Sequence, residues 1–281
     1  MPPKILISAG VHPEEEAGVI YLKKIYKCSE WSNDMDIYII SCRNTYGFNI
    51  TNNINNAKLQ FSCETGEFYK IGERVLFIPC LDFIRCVGKK LQIKSLITPF
   101  SEALKYEGFI DIVSLRNNSQ IHANSYYLYE GNLLDLNSRF SHIDSVFEFS
   151  TNNILNKYQP HYYLDLHESI GSECFLYVSK NNEHAITIAH DIVKNMISHN
   201  IPFRDCAKDR IKLERGIFAL ESFTDYPLSK DVFPVEIIFE TGIDVCVEQR
   251  IHWIEIFIQS ALELIYKRYD TASNFAFDKL V

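Results

Sequence analysis

The chain has 281 residues, of which 47% are hydrophobic and 23% are charged, a composition typical of a globular protein. Its formal net charge of −8 argues against nucleic acid or an anionic membrane as partner, because both attract basic surfaces. No stretch approaches the roughly 18 apolar residues of a membrane span, and no signal peptide is evident, so we expect a cytoplasmic protein.

The first half of the chain contains two clear strand predictions and long polar stretches. KILISAG at 4–10 is a short apolar run that ends in glycine, which predicts a buried strand, and DIYIISC at 36–42 predicts a second one. Between them, residues 13–27 have apolar side chains near helical spacing and predict a helix that begins at Pro13. The Asn-rich residues 50–70 predict a loop, and the apolar residues 73–88 predict either a strand or a helix. Residues 99–107 predict a helix followed by a long loop.

The second half alternates strands and helices more regularly. Apolar runs at 161–168, 173–179 and 234–242 predict strands, and residues 183–200 and 246–269 predict helices. This alternation favours an α/β protein, with one sheet covered by helices on both faces. We expect residues 1–281 to form a single domain, in which the region at about 50–130 is an inserted subdomain, a lid or an oligomer contact.

Metal-ligating and acidic side chains follow several of these strands. The first strand leads to His12, with Glu15 three residues later, while the 161–168 strand carries His167 and the 234–242 strand carries Glu240. Ligands of open α/β sheets bind at the carboxyl ends of the strands, so we expect these four side chains to lie at one edge. Two histidines and one glutamate form a common ligand set of catalytic zinc, which leaves a fourth position for water. The pattern therefore predicts one Zn2+ ion bound by His12, Glu15 and His167, with Glu240 as the general base.

Five segments, in order along the chain, resemble the M14 metallocarboxypeptidase superfamily. SAGVHPEEEAG at 8–18 resembles its HxxE zinc motif, most closely the GxHGDExAG form of the succinylglutamate desuccinylase and aspartoacylase-like branch. RNTYGFN at 43–49 is similar to the N-P-x-G-F segment, and DLNSRF at 135–140 is similar to the D-x-N-R-x-F motif. YLDLHES at 163–169 and IIFETG at 237–242 resemble the strands that deliver the last zinc histidine and the catalytic glutamate. The resemblance implies a zinc carboxypeptidase-like fold, a mixed β-sheet in a single domain with helices on both faces.

The resemblance also implies arginines that polarise the scissile carbonyl group and bind a substrate carboxylate. Asn137 and Arg139 are the candidates for the Asn-Arg pair, although Ser138 stands where the family has the arginine. Arg116 is the candidate for a second catalytic arginine upstream. Arg43 is an alternative substrate-binding residue, or equally an exposed loop charge. Glu168 is a candidate for holding a metal ligand in place.

Three functions remain open from the sequence. The first is a zinc-dependent hydrolase, or deacylase, that cleaves the amide bond of a small N-acyl amino acid or related metabolite. The second is a metallopeptidase of the carboxypeptidase type, which removes a C-terminal residue from a peptide. The third is a non-catalytic binding protein on the same fold. In the first two the partner is a small molecule or short peptide with a free carboxylate, and the sequence leaves the oligomeric state open.

Overall fold

The structure is a computed structural model. It describes residues 2–13, 15–26, 35–49, 57–63, 66–79, 105–115, 121–137, 141–206, 211–220 and 234–277, without the side chains of 113–115, 121–124 and 270–277. Two compact units divide the chain, one formed by Met1–Gly10, Glu15–Arg43 and Asn152–Val281, the other by Val11–Glu14 and Asn44–Thr151. Within the described ranges, no helix combines the length and the apolar character needed to cross a membrane.

Strands and helices alternate along much of the described chain. The helices are α1 (Glu16–Tyr26), α2 (Thr45–Phe48), α3 (Ser141–Val146), α4 (Thr151–Tyr158), α5 (Glu183–Ser198) and α6 (Val247–Phe277). The strands are β1 (Lys4–Ala9), β2 (Asp36–Ile40), β3 (Lys58–Cys63), β4 (Gly66–Ile71), β5 (Arg74–Pro79), β6 (Gly108–Leu115), β7 (Ile121–Tyr129), β8 (Asn132–Asp135), β9 (Tyr162–Ser169), β10 (Phe175–Ser179), β11 (Lys212–Glu214), β12 (Ile217–Leu220) and β13 (Val235–Gly242).

A seven-stranded mixed sheet organises the first unit, in the order β11-β12-β10-β13-β9-β1-β2. Strands β2, β1, β9 and β13 are parallel neighbours, and β10 runs antiparallel to β13. The inner parallel strands β1 and β9 are largely buried, as expected where helices cover a sheet, whereas the edge strand β2 is not. Their carboxyl ends meet at one edge, which places the ends of β1, β9 and β13 side by side.

One face of this sheet packs against α1, α5 and α6. Phe239 of β13 stacks on Phe257 of α6 with ring centroids 4.4 Å apart. Helix α1 comes close to the sheet at Gly18, where a Cβ atom would stand 3.0 Å from the Cβ of Ala9 and 3.1 Å from the Cβ of Leu166. Side chains alternate along a strand, so Leu166 and Phe239 mark the helix-covered face and the residues next to them point to the other face.

That other face carries Asp165 and His167, and α4 contacts it at its β2 edge. Tyr38 of β2 occupies the same face as Ser8 and Asp165 by register, and its ring lies 5.1 Å from the ring of Tyr158 in α4. Helices therefore flank the sheet on both faces. The predicted α/β class, a mixed sheet between helices, is confirmed.

The second unit contains a six-stranded mixed sheet, β3-β4-β5-β6-β7-β8, of which the sequence indicated only the apolar run around β5, as a strand or a helix. The loop predicted for residues 50–70 is wrong over β3 and β4, and the long loop predicted up to residue 130 is wrong over β6 and β7. These strands are mostly antiparallel, and β3, β4 and β8 are partly exposed, so their polar residues interrupt the apolar ones and resemble a loop in composition. The buried side pairs Phe68 with Phe77, whose stacked rings lie 4.3 Å apart.

Two helix predictions also need correction. Helix α1 begins at Glu16, so Pro13 lies in the preceding turn and does not occupy the first helical position. Of the helix predicted at 99–107, residues 105–107 are not helical, and residues 99–104 lie outside the described residues. The prediction of a single domain, with a lid or insertion at about 50–130, stays a prediction.

Candidate metal centre and active site

The connection from β1 to α1 presents the first two candidate ligands. Gly10 directly follows β1 with a φ of +67°, and a Cβ atom there would stand 2.5 Å from Val19 Cγ2, so only glycine suits this position. His12 and Glu15 follow in the turn, and Glu15 is buried directly before helix α1. Together with His167 at the end of β9, they offer three ligand atoms that all lie within 4.8 Å of one another. The residues that the sequence predicts as a metal set are therefore close in space.

The imidazole of His167 lies between two carboxylates. Its Nδ1 is 3.0 Å from Glu15 Oε2, and its Nε2 is 3.1 Å from Asp165 Oδ2. Burial disfavours the charged ring, but Glu15 and Asp165 outweigh that effect and raise the pKa of His167 well above its usual value. When Asp165 accepts a hydrogen bond from Nε2, Nδ1 is directed toward Glu15 and can ligate a metal, an arrangement common for metal-bound histidines.

The donor set fits a divalent metal ion with an open coordination position. Two imidazoles and one carboxylate are the ligands of several catalytic zinc sites. Glu15 and His167 are 5% and 4% exposed, so a bound ion would sit in a largely buried setting. The side chain of His12 is more exposed than these two, at 17%.

Asp165 is a residue that the sequence analysis did not single out. Its Oδ1 accepts a hydrogen bond of 2.6 Å from Ser8 Oγ, and its Oδ2 accepts one of 3.1 Å from Arg43 Nη1. Burial alone would raise the pKa of Asp165, but the charges of His167 and Arg43 lower it well below its usual range. The segment DLH contains the signal that could have identified Asp165. Residues two apart on a strand point to the same face, so Asp165 is expected beside His167.

Arg43, a predicted substrate-binding residue, is buried at the end of β2. Its side chain has no exposed surface, and its guanidinium contacts Asp165 and the hydroxyl of Tyr163. Its backbone N–H donates to the carbonyl of Ala9 at 2.9 Å, which ties the end of β2 to the end of β1. Arg43 therefore contacts Asp165 in the protein interior and is shielded from solvent.

Glu168 points to the opposite face of β9 from His167. Its Oε1 accepts a 2.7 Å hydrogen bond from the N–H of Ala17 in the first turn of α1, and its Oε2 pairs with Arg250 of α6. Burial raises the pKa of Glu168 to about 7, against the effects of Arg250 and the Ala17 N–H. Glu168 thus fixes the start of the helix that Glu15 precedes, from the face of β9 opposite to that of His167.

Glu240 is the immediate neighbour of His167 across the sheet. The two residues are paired in the parallel register of β13 and β9, so their side chains share the face that also carries Asp165. Glu240 is partly buried, in contrast to the fully buried Phe239 before it and Thr241 after it. This position suits a carboxylate that exchanges protons with a molecule bound at the carboxyl ends of the strands.

The end of β13 and the loop after β9 fit tightly together. A Cβ atom on Gly242 would stand 2.4 Å from the carbonyl oxygen of Gly171 and 2.7 Å from the N of Glu173. Beyond it, the N–H groups of Ile243 and Asp244 donate to the carbonyls of Ser169 and Gly171 at 2.8 and 3.0 Å. The glycine of the ETG segment thus allows the β9–β10 loop to lie against the end of β13.

The remaining predicted residues fall in the second unit or outside the described residues. Arg116 and Arg139 lie outside the described residues, so their catalytic and substrate-binding roles stay predictions. Asn137 is partly buried, and its Oδ1 accepts a 3.0 Å hydrogen bond from Thr151 Oγ1. Asp135, whose Oδ1 accepts the Asn137 N–H at 2.7 Å, also lies 4.0 Å from His12 Nε2.

The segment RNTYGFN supports the turn that contains His12. Asn44 is buried, and its Nδ2 donates to the carbonyl of Val11 at 3.2 Å, while its Oδ1 accepts the N–H of Gly47 at 2.9 Å. One amide side chain thereby caps the short helix α2 and fixes the residue before His12. The sequence resemblance marked this segment without indicating that role.

Comparisons with known proteins gave matches in structure alone. No protein-family model and no curated protein matches the sequence. A protein from Shewanella amazonensis, provisionally described as a metallopeptidase, is 14% identical, with a TM-score of 0.43 over 94% of this chain and 77% of that chain. A similarly described protein from Shewanella denitrificans is 11% identical, with a TM-score of 0.46 over 93% and 73%.

A third similar structure is the mDAP-bound form of Csd4 from Helicobacter pylori, a D,L-carboxypeptidase. It is 8% identical, with a TM-score of 0.46, and the match covers 94% of this chain and 51% of that chain. The chain thus spans about half the length of Csd4. Membership of the M14 superfamily stays a prediction.

Proposed function

We propose that this protein is a zinc-dependent amide hydrolase that acts on a small N-acyl amino acid or related metabolite. The observation that carries the proposal is the convergence of His12, Glu15 and His167, with Glu240 next to His167 in register. Removal of a C-terminal residue from a short peptide is the alternative, and it uses the same chemistry. We also propose that the protein is cytoplasmic, as expected from the sequence.

His12, Glu15 and His167 would hold the ion, which when bound lowers the pKa of a water ligand to about 7 and polarises a carbonyl group. Glu240 would accept a proton from the attacking water and pass it to the leaving amine. Asp165 would keep the ring of His167 oriented, and Arg43 would keep Asp165 charged and in place. Arg43 is thus proposed as a positioning residue, in place of the substrate contact expected from the sequence.

Metal analysis and turnover of two variants test this assignment. We expect about one zinc per wild-type chain, a loss of zinc in His12→Ala, and retention of zinc in Glu240→Gln. Turnover should fall roughly 10²- to 10⁴-fold in Glu240→Gln, because a general base contributes about that much. Glu236→Gln is the matched control, since Glu236 lies on the same strand and the same face, beside Tyr163, and should keep full activity.

The assay should cover a panel of N-acyl amino acids and short peptides. Release of a C-terminal residue from peptides, with N-acyl amino acids untouched, would reject the deacylase and support the carboxypeptidase. Full zinc occupancy without turnover of any compound would support the non-catalytic binding protein. Activity of Glu240→Gln equal to wild type would show that another group is the base.

A further inference from the structure

Arg204 is fixed in position next to the loop that follows β9. Its Nη2 donates to the carbonyl of Ile170 at 2.5 Å, and its Cζ lies 4.7 Å from the ring centroid of Phe175. Its backbone is fixed as well, because its N–H donates to the carbonyl of Cys174 at 2.9 Å and its carbonyl accepts from Gly216 at 3.1 Å. The guanidinium group therefore has a defined position before any ligand binds.

Phe175, the ring that Arg204 covers, is paired with the proposed general base. Phe175 pairs with Glu240 in the antiparallel register of β10 and β13, so the Phe175 ring and the Glu240 carboxylate lie on the same face. Ile170, which accepts the guanidinium hydrogen bond, comes three residues after His167. Arg204 thus lies at the same edge of the sheet as the carboxyl ends of β9 and β13.

Arg204 also differs from the other buried and half-buried arginines of the described chain in its partners. Arg43, Arg74, Arg250 and Arg268 each form an ion pair with a carboxylate. In the parts of the chain that the structure describes, Arg204 forms no ion pair with any carboxylate. A guanidinium has five N–H donors, and the Ile170 carbonyl uses one side of this group only.

We propose that Arg204 binds the substrate carboxylate and so selects substrates with a free acid group beside the scissile amide. The proposal rests on the amide-hydrolase function proposed above and adds a specificity-determining residue to it. A planar guanidinium binds a carboxylate through two parallel hydrogen bonds, and a fixed one loses little entropy on binding. The stacking on Phe175 leaves the edges of the guanidinium available for such hydrogen bonds.

The test compares an N-acyl amino acid or short peptide with its C-terminal amide, in the zinc-loaded wild type and in Arg204→Gln. We expect Arg204→Gln to raise KM for the acid roughly 10- to 100-fold, because a hydrogen bond to a charged group contributes about that factor. The effect on kcat should be smaller, and KM for the amide should be nearly unchanged. Arg204→Lys keeps the charge and should restore part of the affinity for the acid.

Arg215→Gln is the matched control, because Arg215 is an exposed arginine in the turn between β11 and β12. Its KM for the acid should equal that of wild type. Thermal unfolding of each variant identifies a folding defect, and Arg204→Met, which keeps the aliphatic stem on Phe175, replaces Arg204→Gln if that variant is unstable.

Each outcome separates the two proposals. If wild type cleaves the acid and neither Arg204→Gln nor Arg204→Met changes its KM, the role of Arg204 is rejected while the hydrolase function stands. If wild type cleaves nothing, the hydrolase function fails, and calorimetry with N-acetyl-L-alanine and its amide then tests Arg204 directly. If Arg204→Gln binds the acid more weakly than wild type and binds the amide equally well, the role is supported. If the two proteins bind the acid equally well, or if neither binds it, the role is overturned.

Discussion

Single residues in the first unit hold the candidate centre together through buried charge pairs. Asp165 contacts Ser8, Arg43 and His167, and all four side chains are buried. A buried ion pair adds little net stability over apolar residues, but removing one partner leaves a buried charge uncompensated. We therefore interpret these contacts as a means of fixing the His167 ring more than as a source of stability.

Asp165→Asn tests this interpretation at the residue scale. The amide keeps the shape of the side chain but removes the charge that orients His167, so we expect zinc affinity to fall about 10- to 100-fold. Competition with a fluorescent zinc chelator measures the change. Asp36→Asn, at the exposed start of β2, is the control and should bind zinc like wild type. Equal affinity in Asp165→Asn would show that Asp165 does not support the ligand.

Strand β9 is the element that links the candidate centre to the helical layer. Its alternation sends Asp165 and His167 to one face, while Glu168 points to the other face and binds the first turn of α1. One strand thus positions two ligands, His167 directly and Glu15 through the start of the helix that follows it. The loop after β9 extends this arrangement, because it lies against Gly242 and holds Arg204 through Ile170.

Gly242→Ala tests the fit between β13 and the β9–β10 loop. Gly242 has no positive φ, so the expected damage is steric: the new methyl group would stand 2.4 Å from the carbonyl oxygen of Gly171. Overpacking of this kind costs about 1 to 3 kcal/mol, which urea unfolding measures. Turnover of the acid substrate should fall with it, because Arg204 moves with the loop.

Gly131→Ala is the comparison variant. A Cβ atom at Gly131 meets nothing within 4 Å, so that variant has only the strain of its φ of +72° and should keep full turnover. If Gly242→Ala has the stability and turnover of wild type, the loop adjusts easily to the methyl group. Its close contact with β13 is then not needed for turnover.

At the scale of the whole molecule, the candidate ligands come from separate parts of the sequence. A metal that binds only the folded chain stabilises it, by about 4.1 kcal/mol at a free concentration 1,000 times Kd. We expect zinc to raise the midpoint of thermal unfolding of wild type and to leave that of His12→Ala unchanged. Scanning calorimetry with and without a chelator measures this difference. An equal rise in His12→Ala would place the bound zinc elsewhere.

The amount that could be predicted differs between the two units. In the first unit β1, β9 and β13 contain apolar runs, so their ends, and with them His167 and Glu240, were located to within a residue or two, whereas the short strands β11 and β12 were not predicted. In the second unit β3, β4 and β8 are partly exposed, and their polar positions, as in KLQFSC at 58–63, made them resemble a loop. Of the six-stranded sheet, the sequence indicated only the apolar run that contains β5, and it left that run open between strand and helix.

The sequence by itself indicated the candidate metal ligands and the candidate base, because His12 and Glu15 are separated by a short turn and His167 and Glu240 lie at strand ends. Only the tertiary structure decided which side chains surround them. Asp165 contacts Arg43, 122 residues away, and the guanidinium of Arg204 meets Phe175 through packing. Such contacts join residues far apart in the chain, and local spacing carries no information about them until the strands are in register.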